Sequence, residues 1–316
     1  MLNRFNKFMQ KRMAFVTPVC LILGVCFSDI AGHGLPLVPW VFAFMTFAGA
    51  LKSSFHDVVN VFKNPKILLV SLLVIHVLVP CVACGLGHLI FPDNANLIAG
   101  MVLEFSVPTA VSGLMWITVY EGNSPLSLSL VVIDTVLAPF IIPTALQILL
   151  GSRITMDVSK MVSDLIFMVA IPAVAAMCLN QVSRGKVKET WPGKLAPFSK
   201  LALMFVVTCN SSKIAPYVKN MNMQRIWVAL VILVLAAGGY VLGWLVSGAL
   251  KADNETTVSL IYGIGMRNIS TGAVIAAAYF PGEVVFPVMI GTLFQQVLAA
   301  VFGKILIERP QKQKKQ

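Results

Sequence analysis

Charged residues are scarce in this chain. Lysine, arginine, aspartate and glutamate make up 12% of its 316 residues, whereas 58% of the residues are hydrophobic. So little polar surface cannot cover a water-soluble globule of this size, and the mean hydropathy of +0.85 agrees. Long polar stretches are missing as well, which excludes a sizeable soluble domain. The chain is therefore predicted to lie mostly in a membrane.

Acidic residues are especially few, with 13 against 24 basic ones. They stand singly, without the repeated aspartates that a metal-dependent membrane enzyme needs, and the only histidines inside apolar segments are His76 and His88. Cys81 and Cys84 have a CxxC spacing but no second pair beside them, so we expect them to pack rather than bind metal. Basic faces with interleaved aromatics are absent, which argues against a nucleic-acid partner. We expect neither an enzyme nor a resident cofactor.

Apolar runs of membrane-spanning length recur along the whole chain. About 20 helical residues cross roughly 30 Å of hydrocarbon. The sequence predicts an all-α, polytopic membrane protein that forms one unit over residues 1–316, with the lipid bilayer around it. The ten predicted transmembrane spans are 13–27, 37–51, 67–91, 97–120, 125–150, 161–179, 201–218, 226–250, 257–280 and 284–306.

Positive charge is distributed unequally between the two sets of loops. Of the 24 lysines and arginines, 18 fall in the termini and even-numbered loops and 4 in the odd-numbered loops, while Lys213 and Arg267 lie inside spans. Cytoplasmic loops retain positive charge. This distribution predicts a multi-pass protein of the cell (inner) membrane with both termini cytoplasmic.

The spans divide into two equal halves. Five precede the polar loop from Gly151 to Lys160 and five follow it. An odd number of spans per half gives the halves opposite orientations, which predicts inverted repeats over about 13–150 and 161–306. The second and seventh spans also share an echo, FMTFAGALKSS and LMFVVTCNSSK.

The fourth and ninth spans, which would be partners in such a repeat, both contain helix-breaking residues. Pro108 in EFSVPTAVSG lacks an amide proton and removes the hydrogen bond to the carbonyl of Glu104. Gly263, Gly265 and Gly272 weaken the ninth span and let another backbone approach. Non-helical backbone at membrane depth is tolerated only where protein or water covers it. Two matching breaks therefore predict a binding site near the bilayer midplane.

Ionisable side chains inside the spans are costly unless paired or hydrated, so a functional role is the default hypothesis. They are His76, Glu104, Asp134, Asp164 and Arg267. Asp164 is expected at the membrane interface, and His76 could equally be a hydrogen-bonded core histidine. For Arg267, a structural ion pair with Asp134 or Glu104 is the alternative to contact with a ligand.

Several segments follow one another in a specific order: FMTFAGALKSSF with NPKILL, HVLVPCVA, SLSLVVIDTVLAPFIIP and GIGMRNISTGAVIAAAYF. Together they resemble the bile acid:sodium symporter family, bacterial ten-span type, over nearly the full length. The resemblance implies a panel domain and a core domain, with discontinuous fourth and ninth spans that cross. It also implies an organic anion substrate in the cleft between the domains, commonly moved together with sodium by alternating access.

The resemblance also carries over particular positions. Ser127 and Asn268 match polar residues of the family pattern. Thr135 and the two helix-break residues Pro108 and Gly265 match other positions of that pattern. Ser112, in the same segment as Pro108, is a further binding candidate. No metal site is expected with certainty, although sodium could lie near Ser127 and Asn268.

Most sodium ligands of the family are replaced in this chain. Gly263 stands where the family has its sodium-binding glutamate, Arg267 where it has the next glutamine, and His76 where it has the third-span glutamine. Other replaced positions are Gly113, Leu114, Val131 and Asp134. A unit charge at about 4 Å repels sodium by roughly 4 kcal/mol at an effective dielectric of 20. Arg267 is therefore predicted to substitute for a bound cation.

A charge count suggests how such a site would be coupled. With Glu104 and Asp134 ionised, Arg267 charged and His76 neutral, the region carries one net negative charge. Protonation of one acid or of His76 neutralises it and admits an anion. We predict a secondary transporter of a small organic anion whose coupling is to protons or absent.

Three alternatives differ from this prediction. A classical sodium-coupled organic anion symporter is the nearest one. A channel would need a continuous polar stripe or a ring of like charges, and a membrane-embedded enzyme would need paired catalytic groups. The sequence makes no prediction of oligomeric state.

Overall fold

The computed structural model describes residues 15–55, 65–151, 154 and 156–307, and within them every named element is a helix. The helices in chain order are α1 Phe15–Cys26, α2 Ser28–Gly32, α3 Val38–Ala50, α4 Pro65–Ile90, α5 Ala95–Ser106, α6 Gly113–Val119, α7 Ser124–Leu150, α8 Val158–Val182, α9 Lys186–Ser212, α10 Ala215–Lys219, α11 Met223–Ala249, α12 Asn254–Gly265, α13 Ile269–Tyr279 and α14 Gly282–Ile307. A short 3₁₀ turn, Leu35–Leu37, precedes α3.

Six helical stretches in the described part of the chain are long and apolar enough to cross a membrane. They are Ser28–Ala50, Pro65–Ile90, Ser124–Leu150, Val158–Val182, Met223–Ala249 and Gly282–Leu306. Shorter apolar helices are α1, α5 and α13. The predicted all-α class and membrane-spanning helices are confirmed, while the arrangement as ten inverted spans stays a prediction.

Some predictions fall outside the described residues. The start of the first predicted span, at residues 13 and 14, belongs to this group, as do the basic residues of both termini and of the segment 56–64. Arg153, in the loop between the predicted halves, does so too.

Asparagine and aspartate side chains define where five of the helices begin. Each accepts a hydrogen bond from the backbone amide three residues later, at 2.8–3.0 Å, and so satisfies an amide that the first turn leaves unpaired. The capping residues are Asn94, Asn123, Asp157, Asn222 and Asp253. These caps allow short connections between successive helices.

Two long helices widen locally into π-helical segments ahead of a proline. The first, Val74–Leu78, lies in α4 before Pro80, and the second, Ile166–Ala170, lies in α8 before Pro172. A proline ring crowds the carbonyl four residues earlier, and a wider turn relieves that contact. The carbonyl facing Pro80 belongs to His76, so the widened segment carries one of the predicted site residues.

Glycines allow α11 to approach α12 closely. A Cβ built on Gly243 would lie 2.5 Å from the carbonyl oxygen of Leu260 and 2.7 Å from the Cα of Ile261. Both atoms belong to the backbone of α12 and cannot rotate away. The position of α12, which ends at the site described below, therefore depends on a small residue at 243.

Replacing Gly243 with alanine should destabilise the protein by about 1–3 kcal/mol, because the methyl group pushes the two helices apart. Gly238 is a matched control in the same helix, since a Cβ there meets no atom within 4 Å. Gly238→Ala should be neutral or stabilising by up to about 1 kcal/mol, since alanine is the better helix former. Thermal unfolding of both purified variants measures the difference, and equal melting temperatures would contradict the packing explanation.

Candidate functional site

Two breaks interrupt the helices. Residues 107–112 are non-helical between α5 and α6, and residues 266–268 are non-helical between α12 and α13. Pro108 lies in the first break, as predicted. The predicted break at Gly263 is wrong, because that residue lies inside α12, whereas Gly265 is the last residue of the helix. Gly265 serves close packing instead, since a Cβ there would lie 2.5 Å from the ring of Tyr240.

The two breaks pair antiparallel and hydrogen-bond to each other, and the place where they pair is called the crossing below. Thr109 and Arg267 form an antiparallel bridge. On either side of it, the amide of Ala110 donates to the carbonyl of Met266 at 3.0 Å, and the amide of Asn268 donates to the carbonyl of Pro108 at 2.7 Å. Backbone groups that lose their helical hydrogen bonds in one break therefore find partners in the other break. Non-helical backbone inside a membrane requires such partners.

Arg267 lies in this crossing and is almost fully buried, with 3% of its surface exposed. Its backbone amide donates to Oε1 of Gln295 on α14 at 3.1 Å. The terminal guanidinium nitrogens, Nη1 and Nη2, have no hydrogen-bond partner among the described residues. A buried guanidinium with two unpartnered nitrogens can receive the two oxygens of a carboxylate.

The structural ion pair of Arg267 with Asp134 or Glu104, which was the alternative to contact with a ligand, does not form within the described structure. Asp134, fully buried, instead meets His76, with Nε2 of the imidazole 2.5 Å from Oδ1 of the carboxylate. The other oxygen, Oδ2, accepts the backbone amide of Thr109 at 2.7 Å. Both oxygens of Asp134 are thus engaged away from the guanidinium, although its negative charge still acts on Arg267 through space.

Glu104 lies on α5 with 2% of its surface exposed. It fits against α14 at Gly291, where a Cβ would lie 2.0 Å from Oε1 of the carboxyl group. Oε2 has no hydrogen-bond partner among the described residues. The charges of Glu104 and Arg267 act on each other electrostatically, without the direct contact of a salt bridge.

The structure separates the remaining candidates. Ser127 is buried, donates to the carbonyl of Asn123 at 2.9 Å and faces a small cleft shared with Ser71 and Ser259. Asn268 does not line that cleft, so the two residues suggested for sodium do not converge there. Asn268 instead begins α13 and is only half-buried.

Two further candidates lie on different elements. Thr135 is buried on α7, whereas Ser112 is exposed just before α6. Asp164 accepts a hydrogen bond from the hydroxyl of Tyr279 at the end of α13.

Sequence reasoning missed two residues that assemble the site. Thr109 links three elements, because its amide binds Asp134 and its hydroxyl donates to the carbonyl of Gly263 at 2.9 Å. Gln295 holds the backbone of Arg267. Both had a signal: Thr109 directly follows the helix-breaking proline, and Gln295 starts a polar pair in the apolar run GTLFQQVLAA.

The absence of a sodium site at the crossing stays a prediction. The structure places the buried guanidinium of Arg267 there, and the carbonyl of Gly263 accepts the hydroxyl of Thr109. Sodium prefers oxygen ligands without an adjacent positive charge. Within the described part of the chain, no cluster of three or more histidine, cysteine or acidic side chains offers another metal site.

Comparison with known proteins gives one family and several relatives. The family model described as "Sodium Bile acid symporter family" matches residues 39–244. The chain is 42% identical over 294 residues to YbaS of Bacillus subtilis (strain 168), covering 93% of this chain and 96% of that protein. It is 21% identical over 262 residues to YocS of the same organism, named a sodium-dependent transporter, covering 79% of each. Against the probable sodium/metabolite cotransporter BASS1, chloroplastic, of Oryza sativa subsp. japonica, identity is 24% over 208 residues, 66% of this chain and 50% of that protein.

Proposed function

The chain belongs to the sodium bile acid symporter family, and on that premise we propose that it is a secondary active transporter of a small organic anion. Membership of a transporter family favours transport over enzymatic catalysis. The proposed location is the cytoplasmic membrane, with both termini on the cytoplasmic side, as the positive charge of the even-numbered loops indicates.

We further propose ten membrane-crossing segments in two inverted repeats, with a panel domain and a core domain. The crossing supports this arrangement. Each break lies in the fourth predicted span of its half, and the two breaks pair antiparallel through Thr109 and Arg267. An inverted repeat brings equivalent spans together in this way at the midplane.

The observation that carries the proposed function is that Nη1 and Nη2 of Arg267, at the crossing, have no hydrogen-bond partner among the described residues. Burying a charge without a partner is costly, and a ligand carboxylate would offset that cost through two charge-assisted hydrogen bonds. Arg267 is buried in this conformation, so the substrate would reach it in a state in which the helices have moved apart. Alternating access supplies such a state.

A second feature is an apolar cleft. It lies between α7 and α8 and is lined only by apolar side chains, among them Val132, Val136, Val174 and Met177. Val132 and Val136 each lie two positions from Asp134 along α7 and therefore face away from its carboxylate, so the cleft is an apolar surface separate from the crossing.

For the coupling ion we propose the proton, with uncoupled transport as the second possibility. Arg267 supplies a fixed positive charge where the family binds sodium, and the buried acids and His76 are groups that can exchange protons. The alternative is classical sodium-coupled symport, which the names of YocS and BASS1 favour for those proteins.

A ligand-stabilisation screen tests the function itself. The purified protein is heated with taurocholate, pyruvate or other organic anions at pH 6 and pH 8, with and without sodium. We expect at least one anion to raise the melting temperature, more at pH 6 and independently of sodium. Stabilisation by organic cations or neutral solutes alone would argue against an anion transporter. The hits then serve as labelled substrates for uptake into vesicles.

A further inference from the structure

We propose that His76 and Asp134 form a proton-binding site whose occupancy is communicated to the crossed breaks through the backbone amide of Thr109. This inference rests on the proposed function and deepens it, because it assigns the coupling proton to one pair of residues. It concerns two positions at which the resemblance described above implies other residues in the family, a glutamine in place of His76 and a serine in place of Asp134.

The geometry fixes one proton between the two side chains. Nε2 of His76 and Oδ1 of Asp134 are 2.5 Å apart, so a single hydrogen must lie between them. If the carboxylate is ionised, that hydrogen belongs to Nε2, and Nδ1 on the far side of the ring is the basic atom. Nδ1 is buried and has no hydrogen-bond partner among the described residues. It is therefore the atom that can accept a second proton.

The charges around the pair favour such a change. Glu104 on α5 is a buried acid whose Oε2 has no hydrogen-bond partner among the described residues, and Arg267 lies in the crossing. The other titratable groups on elements packed against this part of α4 are Lys66, Cys81, Cys84, His88, Glu255 and Tyr262. If Glu104 and Asp134 are taken as ionised, Arg267 as charged and His76 as neutral, the buried groups sum to minus one, and a proton on Nδ1 brings them to zero. An arriving carboxylate would then meet no net negative charge.

A hydrogen-bonded path connects this proton to the crossing. Asp134 holds Oδ1 toward the imidazole and Oδ2 toward the amide of Thr109, at 2.7 Å. Thr109 in turn donates its hydroxyl to Gly263 and bridges Arg267. A second proton on His76 makes its ring an imidazolium, which attracts the negative charge of Asp134. The hydrogen bond from the amide of Thr109 to Oδ2 of Asp134 is thereby weakened. The break that carries Thr109 is thereby released to move relative to α7.

The position of His76 suits a group that must change its contacts. It lies in the π-helical segment of α4, opposite Pro80, where the regular helical hydrogen bonds are already disrupted. Such segments occur frequently at functional sites. A small shift of the segment can therefore move the imidazole without unwinding a regular helix.

Nitrogen NMR on the protein with ¹⁵N-labelled histidine tests the proton site without any substrate. The chain has four histidines, so the signal lost in His76→Gln identifies the residue. We expect the His76 ring nitrogens to take up a second proton on acidification, and this change to be altered in Asp134→Asn, which removes the hydrogen-bonded carboxylate. A His76 that keeps one protonation state at every pH at which the protein stays folded, or that responds identically in Asp134→Asn, would overturn the proposal.

Uptake measurements connect the site to coupling and use His88→Gln as the matched control. His88 lies near the end of the same helix, where Nδ1 contacts the carbonyl of Cys84 at 2.9 Å. His76→Gln should abolish accumulation driven by a pH gradient while exchange of labelled anion at equal pH continues, and His88→Gln should behave as wild type. Undiminished pH-driven accumulation in His76→Gln would refute the coupling role. If no organic anion enters wild-type vesicles, the proposed function fails, and the NMR titration alone decides the proton site.

Discussion

Replacing Arg267 with glutamine should lower the affinity for organic anions by about 10- to 100-fold and reduce uptake accordingly. A hydrogen bond to a charged group contributes about 1.5–3 kcal/mol, and each 1.4 kcal/mol is a factor of ten in affinity. The fold should survive the change, because the guanidinium makes no ion pair that would be broken within the described structure. Melting temperatures with increasing anion concentration give the affinity and the intrinsic stability together.

Two matched variants show whether the effect depends on the site. Arg267→Lys keeps the charge but loses the planar fork, so an intermediate loss is expected. Arg225 lies at the start of α11, outside both breaks, and its guanidinium donates to the carbonyl of Asn220. Arg225→Gln should therefore leave anion affinity unchanged. A structural role for Arg267 would instead appear as a large fall in melting temperature without anion, with the relative stabilisation by anion preserved.

A pH gradient should drive anion accumulation in vesicles far better than a sodium gradient. A difference of one pH unit supplies about 1.4 kcal/mol per proton, enough for about tenfold accumulation of a symported anion. A tenfold sodium gradient at constant pH should give no accumulation above that of empty vesicles. The measurement uses an anion identified by the stabilisation screen, with both gradients imposed at the same membrane potential.

Sodium-driven accumulation at constant pH that disappears when potassium replaces sodium would contradict proton coupling. It would leave the assignment as an anion transporter intact and support the classical symporter. Equilibration without accumulation under either gradient would indicate uncoupled transport, which the fixed charge of Arg267 also permits.

The sequence predicted the class of fold and the existence of the breaks for clear physical reasons. Apolar runs of spanning length dictate membrane helices, and Pro108 cannot continue a helix. The exact position of the second break was wrong, because a glycine both weakens a helix and permits close packing. Gly263 and Gly265 do the latter, which only the neighbouring α11 and α7 reveal.

The partners inside the site were harder to predict. Charge alone left open whether Arg267 would pair with Asp134, with Glu104 or with a ligand, and the carboxylate of Asp134 turns to His76 and to the amide of Thr109. Residues 76 and 134 are 58 positions apart, and their contact depends on how α4 packs on α7. A backbone amide freed by a helix break is likewise invisible in a count of ionisable side chains. Local sequence therefore identified the ionisable residues at the crossing but missed Thr109 and Gln295, and packing decided which of these residues touch.

The central claim is that a fixed guanidinium stands where the family binds sodium. Its most direct test compares two curves, the melting temperature of the purified protein against salt concentration in sodium chloride and in potassium chloride, at equal ionic strength. A cation bound only by the folded protein stabilises it by about 1.4 kcal/mol at roughly ten times its dissociation constant. We expect the two curves to coincide for the wild-type protein at every salt concentration. A saturable rise in melting temperature with sodium alone would contradict the claim.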